Sequence, residues 1–129
     1  MIFYLSHSSK WDKLRGKTSQ DVIEVIKKTL EDNQHSVIEP HTDRETAKIR
    51  KCSKRYLEKS NFVLIECSLP SQGSKEEVTK WAKNKPLVAI LRDGLKLPEW
   101  LEKLKLFKII TYNSVKELTA KLTQEFGSS

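Results

Sequence analysis

Two cysteines in 129 residues, and no apolar run approaching the ~18–20 residues of a membrane span, set the first limits on this chain. The amino terminus has neither the basic flank nor the long apolar core of a secretory signal. Cys52 and Cys67 are isolated and fall where buried faces are expected. They read as small core residues rather than a disulfide, which points to a reducing, cytoplasmic setting. His7, His35 and His41 are scattered and lack the spacing of zinc ligands, so neither a metal site nor a cofactor is expected. Internal repeats, low-complexity tracts and linkers are missing too. The 129 residues are read as a single domain, long enough to bury a core without staples.

Charge is present in quantity but without pattern. The formal net charge is +7, and lysine and arginine are spread along every expected helix. No aromatic interleaving or nucleic-acid motif accompanies them, so nucleic acid is not expected as a partner. Two readings of the basic surface stay open: a solvated lysine-rich exterior, or a rim that draws in phosphorylated small molecules.

Short apolar runs alternate with amphipathic stretches. Ile2 to Leu5 predicts a first strand, leading into a hydroxyl-rich loop, Ser6-His7-Ser8-Ser9, and a mobile polar loop from Lys10 to Thr18. A helix is expected from about Ser19 to Asn33, with Val22, Ile23, Ile26, Thr29 and Leu30 on its inner stripe. Ser36 to Glu39 predicts a second strand. Thr42 and Glu45 resemble a capping box opening a helix that runs to about Lys59. Phe62 to Ile65 reads as a buried central strand, Leu87 to Leu91 as the fourth and Phe107 to Thr111 as the fifth. Between them fall a helix opened by Ser74 and a short helix after Pro98. Ser114 and Glu117 cap a last helix with Val115, Leu118, Leu122 and Phe126 inward, closed by Gly127.

Strands alternating with helices predict a flavodoxin-like, Rossmann-like three-layer α/β sandwich. Its five-stranded parallel sheet, in the order 2-1-3-4-5, has helices on both faces. That order sets the ends of strands one and three side by side, so the Ser6–Ser9 loop and the loop from Ser71 to Glu77 would line one crevice.

The second of these loops carries the chemistry. Pro70 and Gly73 break the chain after the central strand, and Ser74 followed by Glu77 opens a helix. A carboxylate in a first helical turn is held as the anion by the helix dipole. Glu77 could act there as nucleophile or stabilise an oxocarbenium-like sugar, or it could simply complete the capping box, as Glu117 does. Ser71, beside the Gly73 turn, reads as a phosphate donor or as an ordinary loop residue. Glu66, ending the central strand, either points into the crevice or is a solvated strand end.

The stretch Pro70-Ser71-Gln72-Gly73 with Glu77, following a strand that ends in Glu66, resembles the signature of the nucleoside 2-deoxyribosyltransferase family. It is most similar to the branch of 2′-deoxynucleoside 5′-phosphate N-hydrolases, without a gap from Asn61 to Val78. The resemblance implies N-glycosidic cleavage by hydrolysis or base transfer, a nucleoside or nucleotide substrate and a homodimer or larger assembly; with no spanning run, no membrane partner is expected. It implies Glu77 as the catalytic nucleophile, Ser71 as a contact to the 5′-phosphate, and the loop of Ser6, His7 and Ser8 as closing over sugar or phosphate. By position, Glu66 is a second catalytic candidate, and Gly73 and Asn61 are further substrate-binding candidates. Two positions depart from the pattern: Asn61 stands where the family has Asp, and Ser53 stands where the hydrolase branch has a catalytic Asp. Protonation of the leaving base would then fall to another group, with Glu66, His7 and Tyr4 as candidates. Leu5-Ser6-His7-Ser8-Ser9-Lys10 also resembles the opening of bacterial Toll/interleukin-receptor (TIR) domains. That likeness implies an NAD glycohydrolase, or a nucleotide-sensing or protein-interaction module.

Overall fold

The computed structural model describes residues 1–7, 22–38, 55–68, 75, 78–80 and 84–127. In chain order the elements are β1 (Ile2–His7), α1 (Val22–Asp32), β2 (Ser36–Ile38), β3 (Phe62–Glu66), β4 (Leu87–Arg92), α2 (Glu99–Glu102), β5 (Lys108–Tyr112) and α3 (Val115–Phe126). Residues 55–59 and 78–80 are helical as well. The five strands form one all-parallel sheet in the order β2-β1-β3-β4-β5, as the alternation of elements predicts.

Apolar runs without alternation form the central strands because both of their faces are covered. β1, β3 and β4 are buried almost throughout, whereas the flanking strands β2 and β5 are partly exposed. Side-chain alternation then divides the core in two. Phe3, Leu5, Leu64, Val88, Ile90 and Ile110 pack against the inner stripes of α1 and α3. Tyr4, Val63, Ile65 and Ala89 pack on the other face with Leu57, Val78 and Leu101 from the remaining helical segments. Each fully buried aliphatic side chain contributes about 1.5–3 kcal/mol through the water it gives up, so this layering dominates the stability of the fold. No helix among the described residues is long and apolar enough to cross a membrane.

Local signals behave as expected at α3. Ser114 Oγ accepts from the Glu117 N–H at 3.1 Å, and Glu117 returns a carboxylate oxygen to the Asn113 N–H at 3.3 Å. Asp93-Gly94 ends β4 in a turn, with Gly94 in the left-handed region at φ 89°. The Thr42/Glu45 and Ser74/Glu77 boxes lie outside the described residues.

Strand ends are where the expectations need correction. Ser6 and His7, expected to open a loop, are the last two residues of β1 and are buried. Their polarity does not end the strand, because β3 continues alongside and pairs Ser6 with Ile65 and His7 with Glu66. β4 likewise runs one residue further than expected, to Arg92, while β3 ends at Glu66. β5 begins at Lys108 rather than Phe107 and takes in Tyr112.

Candidate active site

The same alternation that sorts the core puts a row of polar side chains on one face of the sheet at its carboxyl edge. On β1, Phe3 and Leu5 face α1 and α3, so His7 does too. On β3 the same parity carries Phe62 and Leu64 on to Glu66, on β4 it carries Val88 and Ile90 on to Arg92, and on β5 it carries Ile110 on to Tyr112. Ser6 has the opposite parity and shares the face of Tyr4. The carboxyl edge of an open parallel sheet is where ligands bind in this architecture.

Glu66 is the centre of the row and is 1% exposed. It is the one buried carboxyl among the described residues. Both of its oxygens accept hydrogen bonds: Oε1 from the Ser68 N–H at 2.5 Å, and Oε2 from the Tyr112 hydroxyl at 2.8 Å. Burial raises its pKa above the ordinary carboxylate value; the Ser68 and Tyr112 hydrogen bonds and the charge of His7 oppose that rise without cancelling it. Tyr112 is displaced upward as well, by burial first and then by the neighbouring Glu66 charge. The arrangement is a carboxyl held in a fixed plane in a low-dielectric setting, where burial favours its protonated form.

The exit of β3 is fastened on both sides. Cys67 donates its N–H to the Ile90 carbonyl at 2.9 Å and its thiol to the same carbonyl at 3.4 Å. Ser68 Oγ accepts from the Arg92 N–H at 2.9 Å. The chain therefore leaves the central strand from a tied-down start into the Pro70–Glu77 segment.

Of the residues singled out from sequence, Glu66 and His7 meet as cross-strand partners, while Ser6, next to His7 on β1, faces the other side of the sheet. Ser8, Ser71, Gly73 and Glu77 lie outside the described residues, as do Cys52 and Ser53. Asn61 does not join the group. It precedes β3 at the amino edge, where its N–H donates to the Ile2 carbonyl and its Oδ1 accepts from the Ile2 N–H, each at 2.8 Å. Glu66 is five residues further along an extended strand, roughly 16 Å away at ~3.3 Å per residue. Tyr112, Ser68 and Arg92 were not foreseen. For Tyr112 a signal existed: extending the fifth strand by one residue gives it the parity of Ile110.

An open apolar cleft of about 240 Å³ lies at the amino edge, between Phe62, Phe107, Phe126 and His35. It is on the far side of the sheet's length from Glu66 and does not belong to the polar row. No group of three His, Cys, Asp or Glu placed to hold a metal ion occurs among the described residues.

Sheet order and polar edge together define a flavodoxin-like α/β protein whose ionisable side chains gather at the carboxyl ends of its strands. Within that class the chain is similar to the CMP N-glycosidase BcmB of Clostridium botulinum, with a TM-score of 0.74 and 18% identity, covering 97% of this chain and 99% of that one. It is also similar to a 3-dehydroquinate dehydratase-like protein from Bifidobacterium longum, with a TM-score of 0.54 and 11% identity over 96% and 94% of the two chains. At these identities the likeness is one of fold. No protein-family profile matches the chain, and no curated protein matches it in sequence.

Proposed function

We propose that this protein cleaves the N-glycosidic bond of a nucleoside or nucleoside 5′-phosphate, by hydrolysis or by transfer of the base. The observation that carries this reading is the end-to-end likeness of fold to an enzyme that is itself a CMP N-glycosidase. The Pro70-Ser71-Gln72-Gly73 segment leading to Glu77, directly after β3, supports it from the sequence side. Glu77 is the nucleophile, Glu66 the proton donor, and Ser71 with the Gly73 turn the phosphate contact.

The reaction runs in two steps. The Glu77 carboxylate attacks C1′, the C1′–N bond breaks, and its electron pair leaves with the base. Glu66 supplies the proton that the departing base takes up, a role that burial favours by keeping the carboxyl protonated to higher pH. Water then attacks C1′ of the sugar ester, releases the sugar and returns a proton to Glu66, or a second base attacks instead. Serine at position 53 supplies no acid, which leaves that task to Glu66. The resemblance also carries a homodimer, for which a monomeric mass in micromolar solution is the contrary result.

The test is chromatographic detection of free base after incubation with CMP, deoxynucleoside monophosphates, free nucleosides and NAD. Wild type is expected to release base from a nucleotide or nucleoside, and Glu77→Gln to lose that activity by a factor on the order of 1,000 or more. Full activity in Glu77→Gln removes the nucleophile. Nicotinamide release alone turns the assignment to the TIR-like alternative, and silence across all substrates turns it to a binding module.

A further inference from the structure

Tyr112 and Glu66 lie on strands that are not neighbours: β4 runs between β3 and β5. The tyrosine hydroxyl nevertheless reaches across β4 to a Glu66 oxygen at 2.8 Å, while the Ser68 N–H holds the other oxygen. Tyr112 is itself buried and anchored, since its carbonyl accepts from the Asp93 N–H at 2.9 Å. Two donors on two different oxygens fix both the plane and the rotation of a carboxyl group, and each lowers the cost of placing charge on it. Tyrosine takes no other part in the reaction as written, and a phenylalanine would fill the same apolar space.

We propose that Tyr112 is a positioning residue of the catalytic site, holding Glu66 in the geometry and charge balance from which it hands a proton to the departing base. The assignment rests on the glycosidase reading and on Glu66 as its acid. The ionisable groups on the face of Glu66 among the described residues are His7 from β1, Arg92 from β4 and Tyr112 from β5; the Cys67 thiol, next along the chain, packs on the opposite face. Glu24 and Glu117, in the first turns of α1 and α3, lie further out; Glu24 is exposed and Glu117 is paired with Lys121. Tyr112 is thus the neutral side chain that reaches the carboxyl from another strand, opposite the Ser68 donor that follows Glu66 in the chain.

The sign of the effect follows from the donor. An acid works only while protonated, so kcat/KM falls as pH rises through the Glu66 titration. Tyr112 favours the ionised form. Tyr112→Phe therefore moves this basic limb upward, by roughly one pH unit if a charge-assisted hydrogen bond is lost. It also lowers kcat by roughly tenfold through misplacement of the acid. Placing 3-fluorotyrosine at position 112 strengthens the donor and moves the limb downward, with the ring retained. The experiment is the pH dependence of base release for wild type and both variants, together with carbon-13 titration of the Glu66 carboxyl by NMR. Opposite displacements of limb and carboxyl titration in the two variants confirm the assignment. A lowered melting temperature with an unmoved limb makes Tyr112 a structural clamp and overturns it. Wild type that releases no base overturns the glycosidase reading and this role with it, an outcome distinct from normal release with an unmoved limb.

Discussion

His7 and Glu66 face each other as register partners across β1 and β3, both closed off from solvent at the carboxyl edge of the sheet. A buried carboxyl has consequences for stability as well as for chemistry. Folding raises the Glu66 pKa above its unfolded value of about 4.3, chiefly by desolvation. Above that pH the folded chain binds more protons than the unfolded chain, so stability declines as pH rises through the folded titration. Glu66→Gln removes the ionisation. The melting temperature of wild type, measured against that of Glu66→Gln from about pH 4 to about pH 8, is expected to fall behind as pH rises through the folded titration and to level off above it. Parallel curves would sink the idea that Glu66 is strained by its charge.

Cys67 gives a second test of the same edge. Its thiol pKa is pushed up to about 12 by burial and then by the Glu66 charge, and its proton is directed at the Ile90 carbonyl. The thiolate is the reactive species, so Cys67 is expected to resist iodoacetamide at about pH 8 in the folded protein and to react once unfolded. Peptide mass spectrometry reads Cys67 separately from Cys52. Labelling of folded Cys67 at the rate of a free thiol contradicts the described packing.

Asn61 ties the start of β3 to the start of β1 through paired hydrogen bonds with Ile2. Asn61→Ala removes the side-chain half of that pair and is expected to cost about 0.5–1.5 kcal/mol in denaturant unfolding. The KM for whichever substrate is cleaved should not change, because the residue lies at the opposite edge from Glu66. A KM increase of tenfold without loss of stability would restore Asn61 to the binding site.

The two long helices end in opposite ways. α1 is followed by Gln34 in the left-handed region at φ 68°, a conformation costly for a residue with a Cβ. Gln34→Gly is expected to stabilise the protein by about 1 kcal/mol. α3 ends at Gly127 in extended backbone, where a Cβ would lie 2.2 Å from the Thr123 carbonyl oxygen. Gly127→Ala is expected to destabilise by about 1–3 kcal/mol, because backbone must move to admit the methyl. Thermal melts of the two variants that shift in the same direction would refute one of these assignments.

Much of the architecture was legible because it depends on local pattern. Phe62-Val63-Leu64-Ile65 is apolar on both faces and so demands a covered, central strand, and the α1 stripe of Val22, Ile23, Ile26, Thr29 and Leu30 is buried as its spacing requires. Ser114 and Glu117 cap α3 through groups close together in sequence, so no distant residue could alter the outcome. Strand ends are different. Ser6 and His7 look like a loop to any local reading, and they are strand because Ile65 and Glu66 of another segment offer them a hydrogen-bonding edge. The bond between Glu66 and Tyr112 joins residues 46 apart in sequence. Residue types and parity placed each of them at a strand end facing the same layer. Only the closing of the sheet, with β4 between them, decided that the two would share one proton-bearing contact.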